Sequence, residues 1–234
     1  MRFQEPPSHE NQTTSVMSKL YQSSHRTVQQ KFNTLELADQ IEAAVVREEL
    51  SDDHSQFISS QTMFFLSTID ESSRPTVSYK GGAAGFVRIL NATQVMFPSY
   101  DGNGMFYSMG NILANPEIGM LFVDFETPNR LRIQGKAELV NEGPLLDSYP
   151  GANLVVKIAL SQVWINCSRY VHKMTLSESS PYVPDSSGNA PIALWKRIEG
   201  LDHFLGERDK QLIQEAGYIT QEEYEKKLSA GETS

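Results

Sequence analysis

Residues 63–104 read MFFLSTIDESSRPTVSYKGGAAGFVRILNATQVMFPSYDGNG, and this stretch decides the fold. It begins with MFFLSTI, an apolar, aromatic and β-branched run that is typical of a buried strand. The turn-forming residues DESSRP follow, and the next segment alternates apolar and polar side chains, as a strand with two different faces does. The pattern predicts four strands joined mostly by short turns, at residues 63–69, 76–80, 86–90 and 94–100.

The chain continues with one helical pattern and then returns to strands. A helix is predicted over residues 105–114, ended by Asn115-Pro116, before a hairpin at 118–125 and 130–140 and a strand at 153–165. Six or seven strands within about a hundred residues favour an antiparallel barrel. A doubly wound sheet would need helices between its strands, and only one lies there. We therefore predict a mainly β protein, a β-barrel with flanking helices.

Composition changes at both ends of this central region. The N-terminal residues are polar and rich in Ser, Gln and Thr, which predicts a mobile tail. Helical patterns follow at 34–50 and 51–60, and near the C-terminus a Ser- and Pro-rich loop precedes two short helical pieces. We divide the chain into a tail (1–25), a barrel domain with N-terminal helices (26–176), and a C-terminal loop and helical extension (177–234).

Charge and composition exclude several classes of partner. The formal net charge of -9 argues against nucleic acid and against an anionic membrane surface. The chain contains no apolar run long enough to cross a bilayer and no signal-peptide pattern at its start. Cys167 is the only cysteine, so no intrachain disulfide can form. These features predict a soluble cytoplasmic protein without a membrane partner.

Two segments of the central region together suggest an anion site. Lys80-Gly81-Gly82 ends one strand with a lone cation and two glycines, and Ser99 to Gly104 joins another strand to the predicted helix. Glycines allow backbone N–H groups to converge, and a helix start adds positive potential. If the lysine lies close to that turn, the two segments form a site for the phosphate of a cofactor.

The neighbouring residues extend this candidate site. Ser78 lies on the same strand face as Lys80. Its hydroxyl group faces either the cofactor or water, and the sequence favours neither position. Met105 and Phe106 would offer backbone N–H groups while their side chains pack. Asp101 would repel a phosphate if it pointed inward, so we expect its carboxylate to point away.

In order, these motifs resemble the FMN-binding split β-barrel family related to pyridoxamine 5'-phosphate oxidase. The resemblance runs from FISSQTMFFLSTIDESSRPTVSYKGGAAGFVRIL through FPSYDGNGMFYSMGNILANPEIGMLFVDF and PNRLRIQGKAEL to VWINCSRYVHKM, and covers about residues 26–200. It is greatest to the oxidase-like branch of unassigned substrate. It implies a six-stranded antiparallel split barrel of the FMN-binding type, a homodimer, and two FMN molecules at the dimer interface.

The resemblance also implies roles for individual residues. Lys80 matches a lysine that meets the FMN phosphate, and Ser99 matches a hydroxyl residue beside the ribityl chain. Asn103 matches a small polar residue at the start of the phosphate-binding turn, and Arg130 falls on or next to a polar residue that meets the flavin ring. The cofactor-binding residues we predict are Ser78, Lys80, Gly81, Ser99, Asn103, Gly104, Met105, Phe106, Arg130 and Arg132.

Arg130 and Arg132 alternate with apolar residues, so both cations should lie on one face of a strand. A solvated surface is the ordinary explanation of such a pair. The resemblance favours one arginine near the N1–C2=O edge of the flavin, where a cation stabilises the reduced form.

The homodimer predicted from the resemblance needs an apolar surface that a second copy would cover. Such a surface could include aromatic residues of the strands. The candidates are Met63, Phe64, Phe65, Phe122 and Phe125.

The sequence departs from the vitamin B6 enzyme at several positions. That enzyme has an arginine in place of Pro75 and a basic pair in place of Gly104-Met105, and Trp195-Lys196-Arg197 does not reproduce its C-terminal phosphate-recognition spacing. These differences argue against oxidation of pyridoxine phosphate.

We expect an oxidoreductase that transfers hydride or electrons to or from a small-molecule substrate, with NADH or NADPH as a candidate donor. The alternatives are a non-catalytic protein that binds or senses flavin, haem or a deazaflavin, and a structural dimer with an empty barrel. We assign no catalytic residue, since no acid is evident to orient a Cys167–His172 pair. The five histidines show no metal-ligand spacing.

Overall fold

The computed structural model describes residues 18–232, which form seven α-helices and seven strands. The strands are β1 (Met63–Ile69), β2 (Pro75–Gly81), β3 (Arg88–Asn91), β4 (Gln94–Tyr100), β5 (Glu117–Asp124), β6 (Asn129–Val140) and β7 (Ala152–Asn166). The helices are α1 (Ser23–Lys31), α2 (Leu35–Val45), α3 (Asp52–Ser60), α4 (Tyr107–Ala114), α5 (Pro144–Asp147), α6 (Glu207–Ala216) and α7 (Gln221–Ser229).

All seven strands belong to one antiparallel sheet, in the order β2-β1-β5-β6-β7-β4-β3. This architecture confirms the predicted mainly β fold with flanking helices. The count of six strands implied by the resemblance was wrong, whereas the local pattern allowed six or seven; the strand predicted at 86–90 forms as β3, a four-residue edge strand. It forms because the turn at residues 91–94 folds residues 88–91 back onto β4.

The sheet curls so that strands near its two ends share one core. The ring of Phe64 in β1 lies 4.9 Å from that of Phe97 in β4, although three strands separate β1 and β4 in the sheet. The ring of Phe122 lies 5.2 Å from the same Phe64 ring. Phe64 and Phe122 are fully buried. Their proposed place on an apolar flank was therefore wrong, since both side chains fill the interior.

Helix α4, between β4 and β5, begins later than predicted. Residue 105 was its expected start, but Phe106 adopts a left-handed conformation with φ of 46°, and α4 starts at Tyr107. Its apolar spacing places Met105, Met109, Ile112 and Leu113 on an inner face; Met109 and Ile112 are buried, whereas Met105 and Leu113 are exposed, so the assignment of these two was wrong. The late start leaves residues 101–106 as an open turn between β4 and α4.

Both ends of the chain add elements outside the sheet. The predicted tail lies outside the described residues up to position 17, and the chain is helical from Ser23. Residues 177–193 contain no helix or strand; two 3₁₀ turns (Leu194–Arg197 and Asp202–Phe204), α6 and α7 follow. Between residues 18 and 232, no helix has the length and apolar character needed to span a bilayer.

Candidate functional site

The polar face of β2 points toward the interior of the barrel. In the antiparallel pairing of β1 with β2, Lys80 lies opposite Phe64 and Ser78 lies opposite Leu66, and both of these β1 residues are fully buried. Val77 and Tyr79 point the other way and keep 69% and 63% of their surface exposed. Strand β2 thus places its polar side chains inside and its apolar side chains outside, the reverse of an ordinary surface strand.

Polar contacts to α4 explain how this reversal is tolerated. The hydroxyl groups of Ser78 and Ser108 lie 2.9 Å apart and share a hydrogen bond. The side-chain amide of Asn111 donates to the hydroxyl groups of Thr68 and Thr76, at 3.0 and 3.3 Å. Buried polar groups are stable when they are hydrogen-bonded in this way. The network fixes α4 against β1 and β2.

The turn that leads into α4 leaves a helix start without a side-chain cap. The Asn103 side-chain oxygen accepts a hydrogen bond from the Met105 N–H at 3.1 Å, and Gly104 has a φ of +76° that favours glycine. Phe106 occupies the N-cap position and cannot accept a hydrogen bond through its side chain. The N–H groups of the first helical turn therefore supply positive potential beside β2.

A cavity of about 250 Å³ lies between β2, the end of β4 and the start of α4. Seven of the ten predicted cofactor-binding residues line it, namely Ser78, Lys80, Ser99, Asn103, Gly104, Met105 and Phe106. The structure thus brings the lysine and the glycine-bearing turn to one cavity. It adds Ser108, whose hydroxyl group the sequence analysis missed because it was counted only as part of a helix.

Lys80 is half-buried at this cavity. Burial lowers the pKa of its ammonium group, and within residues 18–232 no carboxylate contributes to that shift. A partly desolvated cation without a neighbouring anion gains more from an incoming anion than a surface lysine does. The cavity therefore combines a cation, hydroxyl groups and a helix start, which are the groups that bind phosphate.

The carboxylate of Asp101 is held by a lysine from the C-terminal extension. Lys196 Nζ lies 2.6 Å from Asp101 Oδ2 and 2.8 Å from Asp209 Oδ2, and Lys196 is 4% exposed. Burial lowers the pKa of Lys196, but hydrogen bonds to both aspartates outweigh burial and raise it. Asp101 is not among the residues that line the cavity. The expectation that its carboxylate points away is confirmed.

The sequence match identifies the family. The sequence profile of the family described as Pyridoxamine 5'-phosphate oxidase matches residues 50–174, which include β1 to β7. The chain belongs to this family. Among curated proteins, none matches the chain.

Several solved structures are similar to part of the chain. HupZ of Group A Streptococcus is 17% identical, with a TM-score of 0.42, and the match covers 54% of this chain and 99% of HupZ. HutZ of Vibrio cholerae, described as a haem storage protein, is 18% identical with a TM-score of 0.37, covering 50% and 94%. An FMN-binding protein of Syntrophomonas wolfei is 9% identical with a TM-score of 0.36, covering 62% and 98%. At these identities and scores, the family assignment rests on the sequence match.

The remaining three predicted residues of this pyridoxamine 5'-phosphate oxidase family member lie outside the small cavity. Arg132 is exposed and lines a second, open groove of about 680 Å³. Arg130 is half-buried, and its Nη2 donates to the backbone oxygen of Cys167. Gly81 lies at the end of β2, opposite Met63. The two arginines share one face of β6, as predicted. The residues that alternate with them, Leu131 and Ile133, are buried on the opposite face.

The larger groove lies on the outer face of the sheet. It is lined by residues of β1, β2, β5, β6 and β7, among them Phe65, Val77, Leu121, Arg132 and Trp164. Strand β2 thus contributes to both sites, with Lys80 in the cavity and Val77 in the groove. Between residues 18 and 232, no group of three or more His, Cys, Asp or Glu side chains is arranged to hold a metal ion.

Proposed function

We propose that this chain is a homodimeric FMN-binding oxidoreductase of the pyridoxamine 5'-phosphate oxidase family that acts on a small organic substrate. The observation that carries the proposal is the cavity shared by Lys80 and the start of α4. Its donor set fits a dianionic phosphate: the Lys80 ammonium group, the one hydroxyl hydrogen that the hydrogen-bonded pair Ser78 and Ser108 leaves free, and a helix start. Ser99 of β4 lies at the same cavity and would meet the ribityl chain.

The size of the cavity supports a site completed by a second copy. Sites that enclose whole drug-sized ligands measure about 300–1,000 Å³. The cavity of about 250 Å³ is below that range, so it would hold the phosphate and ribityl chain and leave the ring outside. The exposed Val77 and Tyr79 on the opposite face of β2 offer an apolar surface for association. A dimer through this surface would cover the groove that contains Arg132.

The protein's part in the reaction would be positioning and electrostatics. Bound FMN would supply hydride or electron transfer at its ring. Lys80 and the α4 start would hold the phosphate, and an arginine of β6 would favour negative charge at the pyrimidine edge. We assign no general acid or base. NADH or NADPH is our proposed electron donor.

The absorption spectrum of the purified protein tests this proposal directly. We expect flavin bands, release of FMN on denaturation, and reduction of the bound flavin by NADH or NADPH in anaerobic stopped flow. Added FMN should raise the thermal midpoint of apoprotein more than riboflavin does, because only FMN carries the phosphate. A Soret band would identify a haem protein instead. A colourless protein that FMN fails to stabilise would overturn the proposal.

A further inference from the structure

Lys196 joins the C-terminal extension to the turn of the candidate phosphate site. It lies in the 3₁₀ turn Leu194–Arg197, 95 residues from Asp101 along the chain, and its side chain is 5% exposed. Its ammonium group contacts one carboxylate from the turn after β4 and one from α6, Asp209. Such a buried cation is stable only with partners of this kind, since an unpaired buried charge is strongly disfavoured.

The position of Asp101 makes this contact relevant to anion binding. Asp101 directly follows Tyr100 and precedes Gly102, and both of these neighbours line the cavity. The Asp101 side chain is 57% exposed, so Lys196 rather than burial limits where its carboxylate points. A carboxylate that turned toward the cavity would repel a phosphate and compete for Lys80.

We propose that Lys196 is a positioning residue of the phosphate site, which holds the Asp101 carboxylate away from the cavity and fixes the turn at residues 101–104. This inference rests on the proposed function, because it needs a phosphorylated ligand in that cavity. It gives the C-terminal extension a defined part in ligand selection. Loss of Lys196 weakens binding of FMN, whose phosphate meets the released carboxylate, and leaves binding of riboflavin unchanged.

A double-mutant cycle tests the inference. Dissociation constants for FMN and riboflavin are measured by flavin fluorescence on apoprotein of the wild type, Lys196→Met, Asp101→Asn and the double variant. Lys196→Met should weaken FMN binding on the order of tenfold, and Asp101→Asn in the same chain should restore most of the loss. Added salt should reduce the difference in FMN dissociation constant between Lys196→Met and wild type, because salt screens the repulsion between the Asp101 carboxylate and the phosphate. Lys210→Met, which removes a more exposed lysine paired with Glu207, is the matched control.

The outcomes separate this inference from the proposed function. If wild-type protein binds no FMN, the proposed function fails. If wild type binds FMN but Lys196→Met weakens FMN and riboflavin equally, or Asp101→Asn restores nothing, the inference fails alone. If Lys196→Met does not fold, the single variant Asp101→Asn tests whether the Asp101 carboxylate faces the phosphate. No gain in FMN affinity is expected, whereas a gain of about tenfold would show that the carboxylate faces the phosphate and would overturn the inference.

Discussion

Lys80 lies directly opposite Phe64 in the pairing of β1 with β2, so the lysine shares a face of the sheet with the aromatic core. This placement explains why burial lowers the pKa of the ammonium group, since the side chain extends from the inner face of β2. An anion that binds beside this partly buried ammonium group would stabilise its charge.

Replacing Lys80 by Met should weaken FMN binding by about tenfold to a hundredfold, since a charge-assisted hydrogen bond contributes about 1.5–3 kcal/mol. Riboflavin binding should not change, because riboflavin lacks the phosphate. Titration of apoprotein by fluorescence measures both constants. Lys136→Met, at an exposed surface ion pair with Glu117, serves as the control. Equal losses for both ligands would contradict a phosphate contact.

The affinity for FMN should fall as the pH rises on the alkaline side. Burial lowers the Lys80 pKa below its ordinary value of 10.5, so the free protein loses this positive charge at a lower pH than a surface lysine does. The phosphate of FMN keeps its charge in this range, because its second pKa is about 6. The pH profile of the dissociation constant should therefore bend below pH 10.5 in wild type. A similar bend in Lys80→Met would assign the effect to another group.

Val77→Asp should convert a dimer into a monomer at micromolar concentration. Val77 is 69% exposed on the outer face of β2, and a buried carboxylate without a partner would oppose association there. Analytical ultracentrifugation of wild type and variant measures the change. Leu113→Asp, at a residue 77% exposed on α4, tests whether any new surface charge has this effect. A wild-type monomer would contradict the proposed interface.

The two arginines of β6 should differ in their effect on the bound flavin. The family resemblance points to Arg130, and Arg130→Ala is expected to lower FMN affinity or the reduction potential of the bound flavin. Arg132 is the more exposed and lines the open groove, whereas Arg130 donates to the Cys167 backbone. The structure therefore favours a larger decrease of the flavin reduction potential for Arg132→Ala. A loss of about 1.4 kcal/mol in stabilisation of the reduced flavin corresponds to a decrease on the order of 30 mV. Redox titration of both variants measures the two reduction potentials. If neither potential differs from that of wild type, neither arginine contacts the flavin ring.

Stability should fall as the pH falls below 6.5 because of His54. Burial lowers the pKa of this imidazole below 6.5, and its Nδ1 accepts a hydrogen bond from the Ser51 N–H at 3.3 Å. The unfolded chain therefore binds a proton at a higher pH than the folded chain, and acidification favours unfolding until the folded-state pKa is passed. His54→Gln, which retains an acceptor, should show a smaller decrease of the thermal midpoint between pH 7 and 5. An identical decrease in both proteins would exclude His54 as the cause.

Much of the fold could be predicted from local pattern. The apolar run of β1 and the turn after it predict two strands, and the helical pattern at 51–60 forms as α3, which Ser51 caps. The sequence also placed Lys80 and Asn103 in candidate segments that the structure brings to one cavity. The start of α4 was missed because a left-handed Phe106 is not expected of an aromatic residue.

Sequence alone determined the strand periodicity, the glycine-bearing turn and the cations available to meet an anion, because these depend on residues close together in the chain. Tertiary structure decided which face of β2 turns inward, since alternation separates Lys80 from Val77 without saying which one meets the core. It also joined Lys196 to Asp101, 95 residues away. A contact between distant residues arises from packing of whole elements, and no local pattern records it.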